Sequence, residues 1–551
     1  MPAIDLPPKY YLDYFQFVLR FVREHYADTL TDEEYDFLDA FAALPEDARC
    51  LYVRMANRRG LFFRAERFDY PEIDDPVGGL RALVGGNFAE PLRADHAADR
   101  EALLPVFTKD DWAHVLRRLQ PDLKGVRSWK RPAVMEAVRA LPFADVVDVL
   151  NAGEAVVRQC RHETVELLKF CFFGTLEADM SQFVIRDVGH AKLEDLSGKR
   201  FVPHFRSRRE ANDKLAVSRA YQHFRHLREE ADVEQLFTWL MGWSSRHRDL
   251  SEQARPLFER MVLKAAARME KGDAPDLALN TYRLTDQPPA RERRARLLHK
   301  LDRTDEALTL CAEISADPRN AEERFFATDF CDRVTKKKRR KQTTQTLKEA
   351  DVVQIPADYQ YQVERGVMEH FAARGYRAAH TENYLWRGFF GLALWDVIYD
   401  DEAGALHNPL QRAPSDLFKP EFLERRRARI ESELTFLDRK REGKQRLRQR
   451  YAEKEGTVVP LVGWHESLLP LVLACYGKLQ PKQLRAIFLE MARDLGENGC
   501  GFPDLFVWNS RSYEFIEVKS PNDHLSAQQL HWLRFFEEVG VRARVLRVEW
   551  G

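Results

Sequence analysis

Cysteine is scarce in this 551-residue chain, with seven residues at 50, 160, 171, 311, 331, 475 and 500 and no Cys-x-x-Cys pair. That spacing argues against a structural zinc site or a disulfide scaffold and fits a reducing compartment. Long apolar runs are missing as well. No stretch of about 18 uncharged apolar residues occurs, and Met1-Pro-Ala-Ile-Asp5 has no basic segment leading into an apolar one. Neither secretion nor membrane insertion is therefore expected, and the expected location is the cytoplasm, on the nucleoid if the chain is bacterial. Net charge is equally slight: 86 Lys and Arg against 87 Asp and Glu leave −1. Any nucleic-acid footprint must then be local. A hydrophobic content of 44% in a chain of this length predicts large cores spread over roughly three or four domains.

The informative chemistry lies near the C-terminus. Gly501-Phe-Pro-Asp504-Leu-Phe-Val-Trp508 and Tyr513-Glu-Phe-Ile-Glu517-Val-Lys519 are apolar runs separated by four turn formers, Asn509-Ser-Arg-Ser512. This pattern predicts a β-hairpin. Side chains alternate along a strand, so Glu517 and Lys519 share a face and Asp504, at the mouth of the partner strand, can lie beside them. Two carboxylates a few ångströms apart in a dry site repel unless a cation lies between them, and oxygen ligands suit Mg²⁺ or Mn²⁺. The lysine adds a positive charge that can orient a water or steady the charge on a phosphate. The competing reading is a partly exposed sheet whose acids are merely solvated. Downstream, Ser526 is a good helix N-cap, Leu530, Leu533 and Phe536 form a helical stripe, and residues 541–548 predict a last strand.

The run Gly-x-Pro-Asp504-Leu, Glu517-Val-Lys519-x-Pro-x-Asp-x-Leu-Ser526 and Gln529-x-x-Trp532-Leu resembles the virus-type replication-repair nuclease (VRR-NUC) domain, a branch of the PD-(D/E)xK nucleases. Upstream come Gln362-Val-Glu364-Arg-Gly-Val367, His380-Thr-Glu382-Asn383, Gly388-Phe-Phe-Gly391-Leu-Ala-Leu-Trp395-Asp396 and Val462-Gly-Trp464. In that order they are similar to the Fanconi-associated nuclease family, as is Leu51-Tyr-Val-Arg54 followed by Tyr70-Pro-Glu72-Ile73. Resemblance is dense over 350–551, moderate over 10–80 and thin between. It implies a compact, bacterial-type member without the long N-terminal region of animal forms. The Cys/His spacing of the ubiquitin-binding zinc finger of animal relatives is absent too.

The resemblance also implies roles. Asp504 and Glu517 would be direct metal ligands, with the Val518 carbonyl a third, and Lys519 would orient or deprotonate the attacking water. Glu364 matches an upstream acid, and Glu382 a second one able to complete a two-metal site. Gln529 would hold a ligand or the backbone phosphate, His380 would be a hydrogen-bonded neighbour, and Trp532 would pack in the core. The implied activity is a Mg²⁺- or Mn²⁺-dependent, structure-selective DNA nuclease with two ions. It would attack a phosphodiester in line and leave a 5′-phosphate, as a 5′-flap endonuclease and 5′→3′ exonuclease in DNA repair, including interstrand crosslink repair. A Holliday-junction resolvase, a restriction-type nuclease on the same core, and a non-catalytic junction scaffold stay open as alternatives. The intact Asp504, Glu517 and Lys519 argue against the scaffold.

The expected fold is multidomain and mostly α: a helical N-terminal domain (1–85), a SAP-like DNA-binding region (86–200), tetratricopeptide-like helical repeats (201–333), a basic linker (334–349) and an α/β nuclease core (350–551). Arg58-Arg59 in the first is a candidate phosphate contact. In the second, helices over 111–119 and from Pro132, placed at the favoured first position, flank a connector bearing Lys124, Arg127, Lys130 and Arg131, a candidate phosphate site. In the third, Asp276-Leu-Ala278-Leu and Asp305-Glu-Ala307-Leu recur 29 residues apart, close to a period of about 34. The linker run Lys336, Lys337, Lys338, Arg339, Arg340 and Lys341 is expected to meet DNA, with salt-sensitive binding. So is one face of the arginine-rich stretch 421–450. The expected partner is branched or flapped DNA, bound by a monomer; protein partners stay undefined.

Overall fold

The computed structural model describes residues 6–58, 60–336 and 341–551. The chain divides into two compact units, residues 1–190 with 203–215, and residues 191–202 with 216–551.

In the first unit, helices Tyr10–His25, Asp32–Ala43 and Glu46–Ala56 bury Phe15, Phe37, Phe41 and Tyr52. The expected helical N-terminal domain also holds a short strand between its helices. Strands Phe62–Arg64, Ala89–Pro91 and Val156–Gln159 form a small sheet with the last strand central and antiparallel to both others. Strands of three or four residues are too short to display a period of two, so nothing in the pattern announces them. Helices Lys109–Leu119 and Arg131–Arg139 pack through Trp112, Leu116, Val134 and Val138. The second begins one residue earlier than expected, with Lys130 as N-cap and Pro132 second in the helix.

In the second unit, helices Arg255–Lys271, Pro275–Tyr282, Ala290–Lys300, Thr304–Ala316 and Ala321–Thr335 pack each on its neighbours. Ala278 and Ala307, the matching positions of the two similar segments, are both fully buried in the shared core. Asn320 starts the last helix, its side-chain oxygen accepting the Glu323 amide at 3.0 Å.

The nuclease core follows: β1 (Asp351–Ile355), α1 (Val363–Ala372), β2 (Arg377–His380), α2 (Glu382–Ile398), β3 (Leu505–Trp508), β4 (Tyr513–Lys519), α3 (Ala527–Glu538) and β5 (Ala543–Trp550). The five strands lie in the order β1-β5-β4-β3-β2. The two β5 pairings are parallel; β4 with β3 and β3 with β2 are antiparallel. The central strands β3 and β4 are covered on both faces, which is why Leu505–Trp508 reads as a continuous apolar run, while β1 and β2 are partly exposed. Leu505, Val507, Ile516 and Val518 face α1 through Val367. Phe506 and Phe515 face the larger core built on α2 and α3, with Trp386, Trp532 and Phe536. From Gly388 to Trp395 helix α2 is apolar on every side because that part of it is enclosed. Its glycines permit that enclosure: a Cβ on Gly388 would lie 2.5 Å from Leu468 Cδ1, and one on Gly391 would lie 2.4 Å from Val462 Cγ2.

Candidate active site

The hairpin register pairs Leu505 with Ile516, and one step further along the same ladder sets Asp504 opposite Glu517. Alternation then places Asp504, Glu517 and Lys519 on the face that α2 and α3 cover. Asp504 is held through two groups. Its Oδ2 accepts the Val518 amide at 2.8 Å. Its carbonyl accepts the Thr381 amide at 2.7 Å and the Glu382 amide at 3.1 Å, satisfying donors that the start of α2 would otherwise leave free. Glu382 sits at φ +35°, a strained backbone for a residue with a Cβ, and the Asp504 carbonyl holds it there.

Glu517 is 0% exposed and Lys519 only 7%. Glu517 Oε1 accepts from Lys519 Nζ at 2.8 Å and from Gln529 Nε2 at 2.5 Å. Glu517 Oε2 is buried with no hydrogen-bond partner. Gln529 is oriented by its own helix start: its Oε1 accepts the Ser526 amide at 2.9 Å, while Ser526 Oγ accepts the Gln529 amide at 3.1 Å. This reciprocal cap turns the Gln529 NH₂ group onto Glu517. Burial, then the Asp504 charge, pushes the Glu517 carboxyl up to about 8 against the pull of Lys519. Burial pushes Asp504 up to about 6, opposed by the Val518 amide and Lys519.

The structure therefore brings Asp504, Glu517, Lys519 and Gln529 into one cluster. Glu364, half-buried at the second position of α1, and the exposed Glu382 stand at its rim. Their charges reach Asp504 and Glu517 respectively, each raising its neighbour further. Among the described residues no three His, Cys, Asp or Glu side chains close on a common point. His380 is exposed and Trp532 is buried, its indole N–H donating to the Cys500 carbonyl at 2.9 Å. The loop before Asp504 is pressed onto α3 at Gly501, where φ is +83° and a Cβ would lie 2.9 Å from the Gln528 backbone carbon. Thr381 and Asn383 escaped the sequence reading although both flank Glu382. Thr381 is buried beneath the Asp504 carbonyl, and Asn383 Oδ1 accepts the Phe502 amide at 3.3 Å. Their place in the His-Thr-Glu-Asn element was the available signal.

Oxygen-only donors and one orphaned buried carboxylate oxygen fit a hard divalent cation. Mg²⁺ in particular is commonly held by one or two carboxylates and keeps several waters.

The candidate DNA contacts are distributed as follows. Lys124, Arg127 and Lys130 are exposed, and among the described residues none is in an ion pair; Arg131, also exposed, donates to the Phe107 carbonyl at 3.4 Å. Arg58 is exposed beside the Tyr70 ring. Lys336 pairs with Asp332 at 2.8 Å, and Lys341 is exposed at the start of the helix Gln342–Glu349. Arg59, Lys337, Lys338, Arg339 and Arg340 lie outside the described residues.

The arginine-rich stretch is divided: Arg441, Lys444 and Arg448 follow one another at helical spacing on the helix Lys440–Lys454, with Arg441 and Arg448 exposed, whereas other arginines are engaged by acids. Arg426 is 1% exposed, paired with Asp416 at 2.8 Å and donating to the Val397 carbonyl at 3.1 Å. Arg450 is buried against Asp396, Arg429 meets Asp400 at 2.9 Å, and Arg446 pairs with Glu433. Most of these acids come from outside 421–450, so a charge count within that window could not see them.

Two family models match the chain: FAN1, HTH domain over residues 9–90, and the VRR-NUC domain over residues 438–550. With the Asp504–Glu517–Lys519 hairpin inside the second match, the chain is a nuclease, a hydrolase of phosphodiester bonds in DNA, on a core of a type that uses divalent metal. It is 31% identical over 571 aligned positions to the Fanconi-associated nuclease 1 homolog of Pseudomonas aeruginosa, covering 100% of this chain and 97% of that one. The Arabidopsis thaliana homolog is 24% identical over 99% of this chain and 68% of its own length. The crystal structure of paFAN1 bound to 2nt 5′flap DNA with gap matches with a TM-score of 0.80 and 28% identity over all of both chains. The chain belongs to the Fanconi-associated nuclease family and is a structure-specific DNA nuclease.

Proposed function

We propose that this nuclease cleaves DNA carrying a 5′ single-stranded flap, using Mg²⁺ or Mn²⁺ held by Asp504, Glu517 and the Val518 carbonyl. The observation that carries the reading is Glu517: a fully buried carboxylate, one oxygen accepting hydrogen bonds from Lys519 and Gln529 and the other without a partner, across from Asp504. An unsatisfied buried carboxylate oxygen is costly, by at least roughly 1–3 kcal/mol, and a cation between the two acids removes that cost. When bound, such a cation supplies a Lewis acid for the scissile phosphate and eases deprotonation of water.

The protein's own groups do the rest. Gln529 fixes the Glu517 carboxylate. Lys519 holds a buried positive charge where an attacking water must be oriented and where negative charge builds on the phosphate. Glu364 and Glu382, at the rim, would help hold a second ion. In-line attack leaves a 5′-phosphate. The paFAN1 structures with 1nt and 2nt 5′flap DNA support the flap as substrate, with 5′→3′ exonuclease action and interstrand crosslink repair as the corresponding role. Lys124, Arg127, Lys130, Arg131 and the run 336–341 are the proposed phosphate contacts of a chain acting as a monomer in the cytoplasm. The test is a cleavage assay on labelled 5′-flap, 3′-flap, four-way junction and linear duplexes with and without Mn²⁺. Asp504→Ala and Glu517→Ala should bind the flap yet leave it uncut. Near-normal cutting by either variant would overturn the site.

A further inference from the structure

Tyr361 is 89% exposed, more than any other exposed large hydrophobic side chain among the described residues. A ring so placed buries nothing and contributes little to the fold, yet the loop that presents it is tightly built. The turn Ala357–Tyr359 closes with the Gln360 amide donating to the Ala357 carbonyl at 3.1 Å, and the Gln362 amide donates to the Tyr359 carbonyl at 2.8 Å. The Tyr359 hydroxyl donates to Glu369 on α1. Arg365 donates to the Gln362 side-chain oxygen at 3.0 Å and pairs with Glu369 at 3.1 Å. Helix α1 lies hard against this loop: a Cβ on Gly366 would stand 2.7 Å from Ile355 Cγ2 and 2.9 Å from Tyr359 Cβ. The backbone on either side of Tyr361 is thus tied down, and its ring stands in solvent.

The same backbone also limits where that ring stands. Tyr361 precedes Glu364 by three residues, so their Cα atoms lie within about 11 Å, and the charge of Glu364 reaches Asp504. An exposed aromatic face a few nucleotide steps from a phosphodiester-cutting site matches the chemistry of single-strand recognition. There, rings stack on unpaired bases and cations follow the backbone. A protein partner would need about 1,000 Å² of complementary surface, and a lone ring does not provide it.

We propose that Tyr361 is a stacking platform for an unpaired nucleobase of the substrate strand beside the cleavage site. The proposal rests on the reading that the Asp504–Glu517 site cuts DNA containing a single-stranded segment.

The experiment compares full-length wild type with Tyr361→Ala, Tyr361→Phe and Tyr361→Trp. It measures equilibrium binding without metal to a 5′-flap substrate bearing 2-aminopurine at successive flap positions, and to a fully paired duplex. Single-turnover cleavage with Mn²⁺ accompanies each measurement. Tyr361→Ala should weaken flap binding about five- to tenfold and abolish the 2-aminopurine quench at one position, with duplex binding unchanged. Phe and Trp should retain both flap affinity and quench. Flap binding by Tyr361→Ala equal to wild type would overturn the proposal. So would an equal loss on paired duplex, or a loss in Tyr361→Phe matching that in Ala. Wild-type cleavage in the same assay reads the proposed function separately: a wild type that cuts beside an unaffected Tyr361→Ala sinks only the stacking platform.

Discussion

Replacing Glu517 with glutamine tests the burial argument directly, because the two side chains have nearly the same shape and differ in charge. A carboxyl raised from an ordinary 4.5 to about 8 adds stability that is complete below pH 4.5 and is lost as pH rises through 8. Each pH unit inside that window changes stability by about 1.4 kcal/mol per proton. Integrated from pH 5 to pH 8, the metal-free nuclease core should lose about 3 kcal/mol through this one group. Asp504, raised from 3.8 to about 6, adds a smaller loss of the same sign, completed at lower pH. For a core of this size about 3 kcal/mol corresponds to roughly 6–12 °C in Tm. A multidomain chain does not unfold in one step, so the measurement should follow the core itself. Hydrogen exchange of the β3–β4 amides, or the corresponding calorimetric transition, at pH 5 to 8 would do so. Wild type should weaken steadily with pH, Glu517→Gln should be markedly flatter, and Mg²⁺ at pH 8 should stabilise wild type far more than the variant. A Gln variant as steeply pH-dependent as wild type would refute the claim that Glu517 is held as an uncompensated buried acid.

Other substitutions separate the roles assigned above. Gln529→Ala removes a donor to Glu517 and one half of the α3 cap, so activity should fall about 10- to 100-fold with a stability loss of about 1 kcal/mol. Gln529→Glu keeps the capping acceptor but sets a charge against Glu517; single-turnover rates should then fall further while Tm stays nearer wild type. Glu382→Ala should lower the number of Mn²⁺ ions bound in calorimetric titration, and an unchanged count would confine Glu382 to a rim charge. Arg426→Ala should destabilise the core, because it leaves the buried Asp416 with only the longer Arg425 contact at 3.4 Å, while the salt dependence of DNA binding stays unaltered; a flattened salt dependence would give Arg426 itself a DNA-facing role.

Local order was legible in the sequence wherever neighbouring residues alone decide it. Strand alternation over 504–519 places Asp504, Glu517 and Lys519 on one face because successive side chains must point opposite ways. The Ser526–Gln529 cap is likewise a four-residue affair. What the chain could not announce depends on residues far apart in it. Arg450, Arg429 and Arg426 find Asp396, Asp400 and Asp416, acids that enter only once α2 and the loop after it pack against the arginine-rich stretch. The three-residue strands of the first unit exist through partners dozens of residues away. The orphaned Oε2 of Glu517 arises because α2 and α3 close over β4 and exclude water. Pattern along the chain thus determined which side chains could meet. Packing decided how dry their meeting place is, and desolvation, which depends on every atom around a charge, makes two ordinary carboxylates into a site that needs a cation.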